Sequence, residues 1–145
     1  MIFERSVTTD WEGGLMDGSG VAKAGTGAFS LPVSFPSRIG EPAGKTSPEE
    51  LMAAAHAACF AMALNAALGK KSAKAKKTHV TATVSADKGD AGIKIVSSKV
   101  KVVVEGLEGM TPAEFSTFVK EADKGCPVSN AYRGTMQIEV EGSAK

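Results

Sequence analysis

The sequence predicts a single-domain α+β fold, and three observations support this. Residues 3–35 combine alternating apolar positions with glycine-containing turn signals, which is typical of a short strand meander. Residues 51–68 carry no formal charge and predict one buried helix. Alternation with period two returns from residue 78 and brackets a second, amphipathic helix. A chain of 145 residues has the size of one domain, so we treat 1–145 as a single unit.

The first strands are expected to be followed by a long loop. Phe3, Val7 and Trp11 share one parity, and glycine-containing turns lie between the expected strands, so we expect two or three strands. Residues 36–48 contain three prolines and two glycines and are expected to lack regular structure. Long ordered loops of this kind are often functional.

The long helix has a well-marked start. Ser47 is the expected N-cap, Pro48 occupies the first helical position, and two acidic residues lie in the first turn. We expect the helix to end near Leu68, before Gly69. Its length reaches the minimum for a membrane span, but nine of the eighteen residues at 51–68 are alanine and two are polar. We therefore expect a buried core helix and no membrane association.

The second half returns to strands. Even-numbered apolar residues from Thr78 predict a strand, and residues 88–91 predict a turn. The next strand changes its apolar parity, which predicts a β-bulge near residues 96–98. A second helix is expected to begin at Thr111 and end at Gly125. Its apolar stripe consists of Phe115, Phe118, Val119 and Ala122. A short helix or turn to Tyr132 and a last strand through Met136, Ile138 and Val140 complete the chain.

The charge balance excludes some classes of partner. Lysine and arginine number 17 against 16 aspartate and glutamate residues, so no charge excess favours nucleic acid or an acidic membrane. Charged residues at Glu4 and Arg5 are unlike a signal peptide, and we expect a cytoplasmic protein. In a reducing compartment two cysteines are seldom a structural staple, which leaves reactive, metal-binding or inert thiols.

The residues alone leave several roles open. Cys59, in the middle of the helix, is either a small apolar filler or a reactive thiol. Cys126 lies at a backbone corner before a proline, where a side chain can be presented to a neighbour. His56 lies beside Cys59 on the helix surface and is a base, a metal ligand or a packing residue. No close-spaced metal motif is present, so packing is the default for His56, and neither a metal nor a cofactor is expected. Asn65, Ser129 and Asn130 are expected to make local backbone hydrogen bonds.

Two motifs carry a resemblance to a known family. Residues 47–60 read SPEELMAAAHAACF and residues 125–131 read GCPVSNA. Together with WEG at 11–13 and FPSR at 35–38, they resemble the osmotically inducible protein C and organic hydroperoxide resistance family (OsmC/Ohr) over nearly the whole chain. The resemblance implies a thiol peroxidase that forms an intertwined homodimer, with curved antiparallel sheets wrapped around two central helices.

The resemblance also implies the site residues. The catalytic cysteine falls on Cys59, the resolving cysteine on Cys126, and an arginine and a glutamate on Arg38 and Glu49. The Ohr branch places its arginine in the first hairpin, where this chain has only GSG at 18–20, and the OsmC branch uses the later loop that holds Arg38. His56, where the Ohr branch usually has tyrosine, also places the chain on the OsmC side.

The chemistry of peroxide cleavage agrees with these roles. A thiolate attacks one peroxide oxygen, and a cation beside the sulfur stabilises both the thiolate and the departing alkoxide. Cys59 is too far into its helix to profit from the N-terminal dipole, so Arg38, oriented by Glu49, is the expected cation. We expect a sulfenic acid at Cys59, a disulfide to Cys126, and reduction by an external dithiol, for which the resemblance suggests a lipoylated protein. The alternatives are a non-catalytic stress or ligand-binding protein and a thiol redox sensor that uses the same dimer cleft.

The spacing along the helix predicts a shared site. Glu49 and Cys59 are ten residues apart, which is about 15 Å along a helix axis. We therefore expect Arg38 and Glu49 of one copy to act on Cys59 of a second, antiparallel copy. Walls drawn from Met52, Phe60 and Met62 would favour bulky organic hydroperoxides over hydrogen peroxide.

Overall fold

The chain divides into two compact units. The computed structural model describes residues 1–145, and its contacts separate Met1–Leu51, the first unit, from Met52–Lys145, the second unit. The two units are described separately below.

The first unit is built on a three-stranded antiparallel meander. Its strands are β1 (Val7–Glu12), β2 (Ser19–Ala24) and β3 (Ser30–Val33), in the order β1-β2-β3. The β1–β2 connection turns at Gly13, whose φ of +86° suits glycine, and the Gly18 amide donates to the Gly14 carbonyl. The meander expected from the alternating pattern is therefore present.

The segment expected as one loop contains a short helix. Helix α1 (Phe35–Ile39) begins after Ser34, whose Oγ accepts a hydrogen bond from the Ser37 amide at 3.3 Å. The expectation of an irregular stretch from residue 36 is wrong at its start, because Pro36 lies in the first turn of α1, where a missing N–H costs nothing. Irregular backbone does follow from Gly40 to the start of the next helix.

Helix α2 (Pro48–Lys70) extends two residues beyond the expected end at Leu68. Ser47 caps it as expected, with its Oγ accepting from the Glu50 amide at 3.1 Å. The helix buries one stripe with a spacing of four, His56, Phe60, Leu64 and Leu68. Within the single chain Ala54, Ala58 and Met62 are exposed, so burial of α2 on these sides stays a prediction that depends on a partner copy. By length and composition alone α2 is long and apolar enough to cross a membrane, a property that core helices of soluble proteins share.

The second unit contains a mixed sheet in the order β4-β5-β6. Its strands are β4 (Lys77–Gly89), β5 (Gly92–Glu105) and β6 (Gln137–Ala144). The β4–β5 hairpin is antiparallel, whereas β6 lies parallel to β5. The expectation of purely antiparallel sheets fails for this pair, because a crossover joins β5 to β6 and lets the chain re-enter in the same direction. The crossover comprises α3 (Pro112–Ala122), a 3₁₀ turn (Asp123–Gly125) and α4 (Pro127–Tyr132).

The bulge expected near residues 96–98 is present. Ser85 pairs with Ser97 and Ala86 pairs with Ile95, so Val96 is the extra residue on β5. A bulge shifts which side chains face inward. Beyond Val96 the even-numbered residues of β5 are buried, beginning with Ser98.

The core of the second unit lies between α2, α3 and β5. Its buried apolar members are Phe60, Leu64, Leu68, Ala73, Val100, Val102, Val104, Phe115, Val119, Ala122 and Cys126. A capping box between Thr111 and Glu114 fixes the start of α3. Gly142 on β6 allows α3 to pack closely, since a Cβ there would lie 2.7 Å from a methyl group of Val119. In this core, Cys126 is as completely buried as Phe115.

Candidate active site

The second unit brings the two cysteines together. Both are free thiols, and Cys59 packs against the buried cluster that contains Cys126, close enough for the two thiols to influence each other. Cys59 is half-buried in the middle of α2, whereas Cys126 is fully buried and caps α4. The Cys126 Sγ accepts a hydrogen bond from the Ser129 amide at 3.4 Å. Two neighbouring thiols are candidates for a disulfide.

The surroundings of Cys59 within this unit disfavour its thiolate. Burial raises the pKa of Cys59 above its ordinary value, and the neighbouring Cys126 raises it further. A hydrogen bond from the Val128 backbone acts in the opposite direction. None of the groups that shift this pKa is a cation. A reactive Cys59 thiolate therefore needs a positive group in addition to these contacts.

The first unit holds an arginine in a fixed orientation. Arg38 Nε donates to Glu49 Oε1 and Oε2 at 3.1 and 3.2 Å, and Nη2 donates to Oε1 at 2.6 Å. Arg38 lies on α1 and Glu49 in the first turn of α2, so the pair joins two adjacent helices. Hydrogen bonding from Arg38 holds the pKa of Glu49 below its ordinary value, although partial burial opposes this. The Glu49 carboxylate is thus a stable anchor for the guanidinium.

An apolar pocket of about 310 Å³ adjoins Arg38 within the first unit. Its wall includes Trp11, Leu15, Phe35 and Leu51, with the Arg38 side chain at its edge. One oriented cation beside an apolar wall suits a molecule with a hydrocarbon body and a polar, partly anionic end.

The expected apolar walls near Cys59 need a correction. Phe60 is fully buried in the core of the second unit and has no surface to offer a ligand. Phe60 lies four residues before Leu64, on the stripe of α2 that faces the core of the second unit. Met62 is 70% exposed and Met52 is partly buried, so both keep accessible surface.

His56 is the centre of a buried hydrogen-bonded chain. Its Nδ1 is 2.6 Å from Ser98 Oγ and its Nε2 is 2.6 Å from Ser129 Oγ, and none of the three residues is exposed. Burial lowers the pKa of His56. Of two smaller effects, that of Asp123 raises this pKa and that of Arg133 lowers it. Tyr132 packs edge-on against the imidazole with ring centroids 5.3 Å apart. The imidazole is thus fixed on both of its nitrogens.

The sequence predicted the hydrogen bonds of only some polar residues of the second unit. Asn65 and Asn130 do make local backbone hydrogen bonds, to the carbonyls of Ala61 and Lys124. The same expectation is incomplete for Ser129, because its Oγ bonds to His56. Ser98 was missed, although the parity change at the bulge marks it as the first inward residue of the new register. The structure contains no group of three or more His, Cys, Asp or Glu side chains arranged to hold a metal ion.

Comparison with known proteins assigns the family. The model of the family described as OsmC-like protein matches residues 40–141. Peroxiredoxin OsmC of Escherichia coli (strain K12) is 35% identical over 144 residues, covering 97% of this chain and 98% of that protein. The organic hydroperoxide resistance protein of Xanthomonas axonopodis pv. citri (strain 306) is 35% identical over 117 residues and 78% of each chain. The chain belongs to the OsmC-like family.

Solved structures agree with this assignment. An organic hydroperoxide resistance protein from Elizabethkingia anophelis is 27% identical with a TM-score of 0.75, covering 100% of this chain and 99% of that one. An organic hydroperoxide resistance protein OsmC from Legionella pneumophila is 26% identical with a TM-score of 0.74, covering 95% and 96%. The α+β, OsmC-like fold class expected from the sequence is confirmed.

Proposed function

We propose that the protein is a cysteine-based reductase of organic hydroperoxides. The Cys59 thiolate attacks the terminal peroxide oxygen, the O–O bond breaks, and the alkoxide leaves and takes up a proton as an alcohol. Cys59 becomes a sulfenic acid. Cys126 then attacks the Cys59 sulfur, which forms the disulfide and releases water, and an external dithiol returns both residues to thiols. The observation that carries the proposal is that Cys59 packs against the buried cluster that contains Cys126, inside one unit.

The unequal burial of the cysteines supports their division of roles. Cys59 is half-buried and accessible to a substrate, whereas Cys126 is fully buried and meets only neighbouring protein groups. Its hydrogen bond from the Ser129 amide stabilises negative charge on the Cys126 sulfur when it attacks. Family membership and the names of the relatives support the substrate class, since these include organic hydroperoxide resistance proteins.

Arg38 and Glu49 complete the proposed site. Burial raises the pKa of Cys59, so the thiolate needs a cation. Arg38 is a permanent cation, and its bidentate contact with Glu49 fixes the direction in which its free donors point. In the proposal those donors stabilise the thiolate and then the departing alkoxide.

The proposed assembly is a homodimer with shared sites. Ten residues of helix separate Glu49 from Cys59, which is about 15 Å. A second, antiparallel copy would bring Arg38 and Glu49 of one chain to Cys59 of the other. The exposed alanine face of α2 supports such a partner, since an apolar helix face gains stability when it is covered. In this proposal residues 1–145 act as one functional domain in the cytoplasm.

The experiment that tests the function is steady-state turnover of cumene hydroperoxide with dihydrolipoamide as the dithiol. Wild-type protein should turn over rapidly, and Cys59→Ser should be inactive. Cys126→Ser should perform one stoichiometric turnover and hold a sulfenic acid that a dimedone-type probe labels at Cys59. Thioredoxin and glutathione in place of the lipoyl dithiol compare candidate reductants. Full turnover by Cys59→Ser, or ligand binding without any turnover by the wild type, would overturn the proposal.

A further inference from the structure

The His56 chain reaches Cys126 through a single residue. Ser129 has two contacts, one from its Oγ to His56 Nε2 at 2.6 Å and one from its amide to Cys126 Sγ at 3.4 Å. The other end of the imidazole is held by Ser98 on β5, again at 2.6 Å. The position of the amide that faces the Cys126 sulfur is therefore tied, through His56, to both α2 and β5.

This arrangement tolerates either tautomer of the imidazole. A serine hydroxyl can donate or accept, so both hydrogen bonds of His56 persist whichever nitrogen carries the proton. The titratable and charged groups near the ring are Tyr132 on α4, the Cys126 thiol that Ser129 contacts, and the ion pair of Asp123 with Arg133 at 2.8 Å. No carboxylate hydrogen-bonds to the imidazole, which separates this arrangement from a nucleophile–base–acid triad.

We infer that His56 is a positioning residue for disulfide formation, which acts through Ser129 to hold the backbone donor that faces the Cys126 sulfur. The inference rests on the proposed function and concerns only its second step. In that step Cys126 attacks the sulfenic sulfur of Cys59, the S–S bond forms, the S–O bond breaks, and the hydroxide leaves as water after taking a proton. A donor fixed at the attacking sulfur stabilises its charge before the bond forms. The first step, attack of Cys59 on the peroxide, does not use this donor.

The two serines provide a matched pair of variants. Ser98 and Ser129 are equally buried and lie at the same distance from His56, but only Ser129 hydrogen-bonds to Cys126. Ser129→Ala should slow the disappearance of the sulfenic acid roughly tenfold or more, the change expected when a hydrogen bond to a charged group weakens. Ser98→Ala should change that rate much less. Both variants should form the sulfenic acid at the wild-type rate.

The measurement is a single turnover with one equivalent of cumene hydroperoxide, in which quenched samples give the sulfenic acid and the disulfide by mass spectrometry. Each sample gives both the rate at which the sulfenic acid forms and the rate at which it disappears. Because both rates come from the same folded molecules, a general loss of folded protein does not change their ratio. His56→Phe keeps a ring and removes both hydrogen bonds, and it should behave as Ser129→Ala does. If His56→Phe fails to fold, the serine pair still decides the question.

Two failures are distinguishable. Wild-type protein that never forms a sulfenic acid contradicts the proposed function itself. Wild-type protein that forms it, together with Ser129→Ala that closes the disulfide at the wild-type rate, contradicts the inference alone. Equal slowing in Ser98→Ala and Ser129→Ala would also overturn it, because a shared effect on packing would then explain the result.

Discussion

The two units hold their functional residues by different means. In the first unit Ala22 is the only buried hydrophobic residue, and every residue of β1 is exposed. In the second unit a continuous apolar cluster surrounds Cys126. The first unit instead fixes Arg38 with polar contacts, the Ser34 cap and the Glu49 carboxylate. The position of the thiols thus depends on core packing, whereas the position of the cation depends on a few hydrogen bonds.

Substitutions that create cavities should destabilise the second unit more than the first. Phe115 is fully buried in the second unit, so Phe115→Ala should lower the free energy of unfolding by about 3–5 kcal/mol. Phe29 of the first unit is 36% exposed, and Phe29→Ala should cost clearly less. Urea titrations of both variants make the comparison. Equal losses would show that the first unit depends on packing as strongly as the second.

A change to the cation should affect activity rather than folding. Arg38→Met should lower kcat/KM for cumene hydroperoxide by about 10²–10³-fold, the usual cost of removing one oriented donor from a developing negative charge. The matched control is Arg5→Met, since Arg5 is exposed and bonds only to the neighbouring Glu4 carbonyl. Arg38→Lys keeps the charge and loses the bidentate contact, so it should recover only part of the activity. Wild-type activity in Arg38→Met would remove Arg38 from the mechanism.

Subunit mixing tests whether the two units act across copies. Cys59→Ser and Arg38→Met are each expected to be inactive or nearly so as homodimers. A heterodimer with shared sites holds one site with both changes and one with neither, so activity should return to up to half of the wild-type level. Exchange is followed with an affinity tag on one variant. Proven heterodimers without recovered activity would show that each chain builds its own site.

The pocket beside Arg38 predicts a smaller, substrate-dependent effect. Leu15 lines the pocket, whereas the neighbouring Met16 does not, and both are about equally exposed, at 60% and 63%. Leu15→Ala should lower kcat/KM for cumene hydroperoxide by about fivefold, on the order of 1 kcal/mol of lost apolar contact. Hydrogen peroxide has no apolar surface, so its kcat/KM should not change. Met16→Ala is the control, and equal effects on the two substrates would place the hydrocarbon group elsewhere.

The difference between the units also explains what the sequence predicted. Local signals found the capped start of α2, the bulge at Val96 and the short helix after Cys126, because each depends on residues adjacent in the chain. The parallel pairing of β6 was missed, although a helical crossover between two strands is the usual connection of parallel neighbours. The Ser34 cap of α1 was overlooked because prolines and glycines dominate that segment.

The candidate site divides in the same way. Motif resemblance named Cys59, Cys126, Arg38 and Glu49. The structure places the two cysteines in the second unit and the hydrogen-bonded Arg38–Glu49 pair in the first. The chain from Ser98 through His56 to Ser129 joins residues on three elements far apart in sequence. Each of these residues taken alone is ordinary, so only the assembled fold shows their connection. The assignment of Phe60 to a substrate wall failed for a related reason, since an apolar helix does not reveal which stripe faces its own core.

On acidification, each unit should lose stability in its own pH range. Burial lowers the pKa of His56 from 6.5, so the unfolded chain binds a proton there more readily than the folded one, and stability falls as the pH drops below about 6.5. Arg38 lowers the pKa of Glu49 from 4.5, so its contribution is present above that pH and is lost as the pH falls through the lower, folded value. Urea unfolding at pH 7.5, 5.5 and 3.5 separates the pH range in which His56 affects stability from the lower range in which Glu49 does. His56→Gln should flatten the change between the first two pH values, and Glu49→Gln should flatten the change between the last two. An unchanged difference between pH 7.5 and 5.5 in His56→Gln would mean that another group of the second unit takes up the proton. An unchanged difference between pH 5.5 and 3.5 in Glu49→Gln would mean that the ion pair contributes little to stability in solution.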